Sequence, residues 1–150
     1  MIFTSPESIA KRDFSRRSVF LGGSIEMGKS IDWQKDLANL FLEADFNIFN
    51  PRRLNWDPSW EQTFENPYFY QQVNWELNAL KISDIIIMYF IPETISPISL
   101  LEFGKYSTSD KMHVICPDGY FRKGNIECVC NIDNIPLYDN LDEFKEKFVW

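Results

Sequence analysis

With one histidine and three cysteines in 150 residues, the chain has little with which to hold a metal. Cys116, Cys128 and Cys130 form an odd set whose Cys-x-Cys spacing matches neither a disulfide framework nor a zinc site, so reduced thiols and no metal are expected. Long apolar runs are missing as well. The longest, Ile85 to Ile91, falls far short of the roughly 20 residues that span a bilayer, and Met1 to Ala10 lacks the apolar stretch of a signal peptide. Positive charge is scarce: 15 Lys and Arg against 22 Asp and Glu give a net charge of −7, which repels polyphosphates and anionic lipids. No nucleic-acid or membrane partner is therefore expected. A small ligand remains, in a soluble, cytoplasmic protein, with homo-oligomer formation open.

What is present is a 45% apolar, 16% aromatic composition, enough for one core. Residues 1–17 carry Lys11, Arg12, Arg16 and Arg17 without an apolar period and read as an N-terminal tail or edge segment, leaving 18–150 as the domain. From there β-rich runs alternate with helical periods. Ser18 to Leu21 reads as a first strand closed by Gly22-Gly23, followed by a helix with Trp33, Leu37, Leu40, Phe41 and Ala44 on one stripe. Phe46 to Phe49 is a second strand, and Asn50 to Asn66 a loop longer than the usual connection in such units. Asn66-Pro67 starts a helix whose expected buried face is Phe69, Val73, Leu77 and Leu80. Ile85 to Phe90 reads as a strand buried on both faces, Ser99 to Ser109 as a helix, Met112 to Cys116 as a fourth strand and Glu127 to Cys130 as a short fifth. Leu141, Phe144 and Phe148 mark a terminal helix. The pattern predicts an α/β, flavodoxin-like open parallel sheet of four to five strands with helices on both faces, whose ligand edge lies beyond the strand carboxyl ends.

Gly23-Ser24-Ile25-Glu26-Met27-Gly28-Lys29-Ser30 fits the phosphate-loop string between a strand and a helix. Glu26 sets a carboxylate where backbone N–H groups must cradle phosphates, and Asp84 begins its strand where a Mg²⁺ site needs an Asp at a strand end. The Gly-Gly-Ser turn keeps a softer meaning: a ligand can approach its backbone closely. Glu102 has two readings. Ser99-x-x-Glu102 matches a capping box, while a carboxylate in a first helical turn at the ligand edge suits a nucleophile. Asp84, like Glu76 beside Trp75, reads in isolation as structural. Arg52 and Arg53 either clamp an anionic or carbonyl-bearing ligand or pair with Asp57 or Glu61. Trp56, Trp60 and Trp75 either stack on a base or fill a core.

Val19 to Ile25, Trp33, Phe49-Asn50-Pro51-Arg52-Arg53, Gln72 to Glu76, Asp84-Ile85-Ile86 and Leu100-Leu101-Glu102-Phe103-Gly104, in that order, resemble the nucleoside 2-deoxyribosyltransferase-like family. The resemblance implies a flavodoxin-like fold and cleavage of the N-glycosidic bond of (deoxy)nucleosides or their monophosphates, without a cofactor. It implies that Glu102 matches the nucleophilic glutamate, that Gly22, Gly23 and Ser24 form the sugar-side loop, and that Asp84 is an acidic position after the second helix. Asn50, Arg52 and Arg53 are the further substrate-binding candidates. Phe20 stands where the better known transferases have a tyrosine, and Glu93 is a loose counterpart of an acidic residue ahead of the nucleophile helix.

The implied chemistry is two-step and retaining: Glu102 attacks C1′ and a proton donor, with Asp84 as the candidate, neutralises the departing base. A second base then gives transfer and water gives hydrolysis. The rival readings are a catalytically inactive nucleotide-binding module, favoured by Phe20, a phosphate-loop enzyme acting on nucleoside triphosphates, and cleavage of the nicotinamide bond of NAD as in TIR-type domains.

Overall fold

The computed structural model describes residues 1–25 and 31–150. The phosphate-loop string from Gly23 to Ser30, including Lys29, falls mainly outside the described residues. Strands β1 (Ile2–Thr4), β2 (Ser18–Gly23), β3 (Asn47–Asn50), β4 (Ile85–Tyr89), β5 (Met112–Ile115) and β6 (Leu137–Tyr138) form an open parallel sheet in the order β1-β3-β2-β4-β5-β6. Around it are α1 (Trp33–Glu43), α2 (Pro67–Ile82), α3 (Pro97–Tyr106), α4 (Lys123–Ile132) and α5 (Leu141–Lys147). This is an α/β fold with six strands rather than four to five. The two outermost strands, β1 and β6, have three and two residues, too few for a period-two pattern to register.

The chain divides into two compact units. The first runs to Asp84 and holds β1, β3, α1, α2 and β2 through Leu21. Parallel register sets Phe3 and Phe20 beside Phe49, and Val19 beside Ile48, all buried. Residues 1–17 are built in by the β1–β3 ladder and by side chains, Asn47 and Trp75 among them. Asn47 Nδ2 donates to the carbonyls of Asp13 and Arg16, and Trp75 Nε1 donates to the Glu7 carbonyl at 2.8 Å. Asp32 caps α1, accepting from Lys35 N, and Asn66 caps α2 with Pro67 in the first turn. The buried face of α2 is Gln72, Trp75, Ala79 and Leu80, and Leu77 is exposed. The expected stripe therefore turns around the helix axis, because Trp75 brings more area to bury than Leu77 and a glutamine takes one inward position.

The second unit holds the end of β2 at Gly22 and Gly23, then β4, α3, β5, α4, β6 and α5. β4 pairs with β5 from Ile86–Met112 to Tyr89–Ile115, and β5 with β6. Ile86, Ile87, Met88 and Phe90 are fully buried, as the unbroken apolar run requires. Residues 127–130 lie inside α4 and are not a fifth strand: Ile126 and Cys130, four apart, are its buried residues, a helical spacing. The helix expected from Ser99 begins two residues earlier, at Pro97, and ends at Tyr106. Phe144 and Phe148 are buried at the terminal helix.

Candidate active site

In the second unit the site grows from the end of β2. Gly23 has φ +130°, and a Cβ there would overlap the Tyr89 carbonyl oxygen and stand 2.6 Å from Tyr89 N, so only glycine lets the two backbones meet. Ser24 N then donates to the Tyr89 carbonyl at 2.8 Å. The Ser24 hydroxyl, fully buried, accepts from Ile91 N at 2.9 Å and joins Thr94 and Ser96 in a closed ring of hydroxyls at 2.7, 2.8 and 2.7 Å. The single Thr94 hydroxyl proton goes either to Ser96, closing the ring, or to the Ile91 carbonyl at 2.8 Å. The ring fixes the connection between β4 and α3.

Ser96 lies in the left-handed region (φ 48°, ψ 53°) as the N-cap of α3 and makes no side-chain cap bond. Pro97 follows as the first helical residue, which overturns the Ser99 capping box. Glu102 consequently sits in the second turn, where the helix dipole has largely decayed, and not in the first. It is 7% exposed and shares the inner face of α3 with Ser99 and Phe103. One turn on, burial and then the charge of Glu102 push the Tyr106 hydroxyl upward. Burial, not the helix terminus, marks Glu102 as unusual, since a carboxylate is rarely this enclosed without a task.

In the first unit Asn50 turns the chain after β3, its Oδ1 accepting from Arg52 N at 2.9 Å. Arg52 Nη1 donates to the Ile31 carbonyl and to Gln34 Oε1 at 3.2 and 3.4 Å, with Asp32 3.9 Å from its Nε. Arg53 donates to Asn55 and Gln71 and lies 5.0 Å from the Trp60 ring centroid, which stacks on Tyr68. Neither arginine pairs with Asp57 or Glu61: Asp57 takes both the N–H and hydroxyl of Ser59 instead. Trp56 and Trp60 meet edge to face 5.2 Å apart in this loop, so they form a local aromatic cluster, while Trp75 is core.

Sequence reasoning used Gln72 to Glu76 only as part of the resemblance, giving Gln72 no role of its own and reading Glu76 as structural. Gln72 Nε2 donates to the Pro51 carbonyl at 3.0 Å and to Glu76 Oε1 at 2.8 Å, and desolvation pushes the Glu76 carboxyl up to about 7 despite that bond. Gln72 Oε1 and Gln34 Nε2 are buried with no hydrogen-bond partner among the described residues. Polar residues at buried helix positions, Gln34 beside Trp33 and Gln72 with Glu76 one turn on, were the available signal.

Asp84 has a different place. Its Oδ2 accepts from Ser18 N at 2.7 Å and Ser18 Oγ at 2.8 Å, at the amino ends of β4 and β2, while ligands of such sheets sit at carboxyl ends. Asp84 is a clasp between strand starts, which corrects its expected role as proton donor. All three cysteines are free, burial pushes the Cys116 and Cys130 thiols up to about 11 and about 12, and among the described residues no cluster of His, Cys, Asp and Glu could hold a metal. No helix among the described residues is long and apolar enough to cross a membrane.

A family model described as nucleoside 2-deoxyribosyltransferase like matches residues 16–120, well over half of the chain. The chain belongs to that family. Its matched span runs from the residues before β2 to Tyr120 and includes Gly22 to Ser24, Asn50 to Arg53, Glu76, Asp84 and Glu102. Strand β1 precedes the family's span, and α4, β6 and α5 follow it. No curated protein matches. Among solved structures the chain is similar to a conserved protein from Enterococcus faecalis V583, with a TM-score of 0.58 and 9% identity over 89% of this chain and 99% of that one. That likeness concerns the fold alone.

Proposed function

We propose that this member of the nucleoside 2-deoxyribosyltransferase-like family cleaves the N-glycosidic bond of a (deoxy)nucleoside or its 5′-monophosphate, with Glu102 as nucleophile. The observation that carries the reading is the buried Glu102 carboxylate inside the family's matched span, on a helix whose start is fixed by the Ser24, Thr94 and Ser96 hydroxyls. A Glu102 oxygen bonds to C1′ while the bond from C1′ to the base nitrogen breaks and its electron pair leaves with the base. The departing nitrogen needs a proton. Water or a second base then attacks C1′ and releases Glu102. Gly22, Gly23 and Ser24 serve the sugar side, and Asn50, Arg52 and Arg53 line the loop that reads the rest of the substrate.

The test is incubation with a panel of nucleosides, their monophosphates and NAD, following free base by chromatography, with Glu102→Gln alongside. Base release by the wild type and its loss in a variant with unchanged melting supports the reading. Turnover retained in Glu102→Gln refutes it. A second reading, a nucleotide-binding module without turnover, is favoured by Phe20, whose fully buried ring supplies no hydroxyl. Binding of a nucleotide with no base released from any of the panel would select it.

A further inference from the structure

We propose that Tyr106 positions Glu102, the nucleophile under the reading above on which this inference rests, and that its hydroxyl receives the carboxylate's charge when the glycosyl-enzyme breaks down. The two residues lie four apart on α3, so their Cβ atoms are neighbours about 5–6 Å apart on one face. Helical side chains lean toward the helix N-terminus, which lays the Tyr106 ring over the turn that carries Glu102. Ser99, three residues before Glu102, leans away from it by the same rule. Direction matters too, because α3 starts beyond the carboxyl end of β4 and runs back along the sheet to parallel β5. Tyr106 ends the helix and therefore approaches the carboxylate from the side opposite the ligand edge, which leaves the other carboxylate oxygen to C1′.

The backbone of Tyr106 is tied down: its carbonyl accepts from Ser109 N at 3.0 Å and from Ser109 Oγ at 2.6 Å. Its ring is half-buried, with the Lys105 ammonium 5.9 Å from the centroid. The two groups sense each other, since the Glu102 charge follows burial among the causes that push the Tyr106 hydroxyl upward. A phenol so held keeps its proton at neutral pH and is available as a donor. In the first step Glu102 gives up charge as it bonds to C1′, so a donor on it brings no advantage there. In the second step water or a base bonds to C1′, the bond from C1′ to the Glu102 oxygen breaks, and its electron pair returns to the carboxylate. A proton of the attacking water goes to solvent, and Tyr106 keeps its own. The hydroxyl then stabilises charge as it forms, which is where a hydrogen bond lowers a barrier.

The experiment compares the wild type with Tyr106→Phe, which keeps the ring and loses only the hydroxyl, on a nucleoside or monophosphate that the chain cleaves. Base release and the mass of the acid-quenched protein are followed together. In the variant kcat should fall at least about tenfold while kcat/KM for base release changes less than about threefold, because only the second step is slowed. Its melting should be unchanged, and the quenched protein should carry the sugar as a covalent adduct. A Tyr106→Phe variant with wild-type kcat overturns the proposal, as does one that loses kcat and kcat/KM together without an adduct. An ultraviolet titration needs no turnover: subtracting the Tyr106→Phe spectrum isolates this phenol among the 6 tyrosines. In Glu102→Gln the same phenol should ionise at a pH lower by at least about 0.5, since the carboxylate charge is gone. An unchanged titration overturns the proposal. A wild type that releases no base refutes the proposed function and this step with it, while the titration still decides whether Tyr106 holds Glu102.

Discussion

Gln72 donates through Nε2 to Glu76 Oε1 at 2.8 Å, one turn apart on α2, and the same amide donates to the Pro51 carbonyl. One side chain thus ties a half-buried carboxyl to the loop that carries Arg52 and Arg53. The carboxyl is raised by desolvation from 4.5 to about 7, so between those values the folded chain keeps a proton that the unfolded chain has released. Stability from this group is full below pH 4.5 and falls as pH rises through about 7.

Glu76→Gln should abolish that fall. The amide oxygen still accepts from Gln72 but cannot ionise, so the variant's melting temperature should stay flat where the wild type's declines. The difference amounts to at most about 3 kcal/mol, an upper bound for a half-buried group. Thermal melts across the interval check it; parallel curves would assign the pH dependence elsewhere.

Asp84→Ala should cost stability and not chemistry. It removes an acceptor shared by the N–H and hydroxyl of Ser18, worth about 1–2 kcal/mol at an exposed site. A lower denaturation midpoint with base release per folded molecule unchanged is the expected pair of results.

Gly23→Ala should be severe, costing at least about 3 kcal/mol, because the added Cβ collides with the Tyr89 backbone in a conformation that L residues rarely adopt. Denaturant titration measures it. A near-neutral outcome would mean that the end of β2 shifts without loss.

Arg52→Ala should lower kcat/KM for a nucleoside and for its monophosphate by the same factor, since the guanidinium already holds the Ile31 carbonyl and Gln34. A loss confined to the monophosphate, about 1.5–3 kcal/mol, would instead mean that this arginine reads phosphate.

The interior of the fold was legible wherever a period ran long enough. The run Ile85 to Phe90 declared a buried strand, and Asn66-Pro67 declared both cap and first turn. Edge strands of two and three residues left no such trace. The start of α3 was misread because Ser99 and Glu102 satisfy a capping pattern, whereas Pro97 already occupies the first helical position. The hydroxyl ring was not legible, because Ser24, Thr94 and Ser96 are brought together by the meeting of β2 and β4 and not by spacing in the chain. Asp84 misled for the opposite reason: its residue type suggested chemistry while its partner, Ser18, lies 66 residues earlier.

The Ser24, Thr94 and Ser96 ring is made of neutral groups. Among the described residues the bonds that form the ring join neutral groups, so added salt has nothing to screen and ordinary changes of pH have nothing to titrate in them. The seat from which α3 carries Glu102 should therefore be indifferent to ionic strength, and any salt dependence of turnover would report on how the substrate is captured and not on how the nucleophile is positioned.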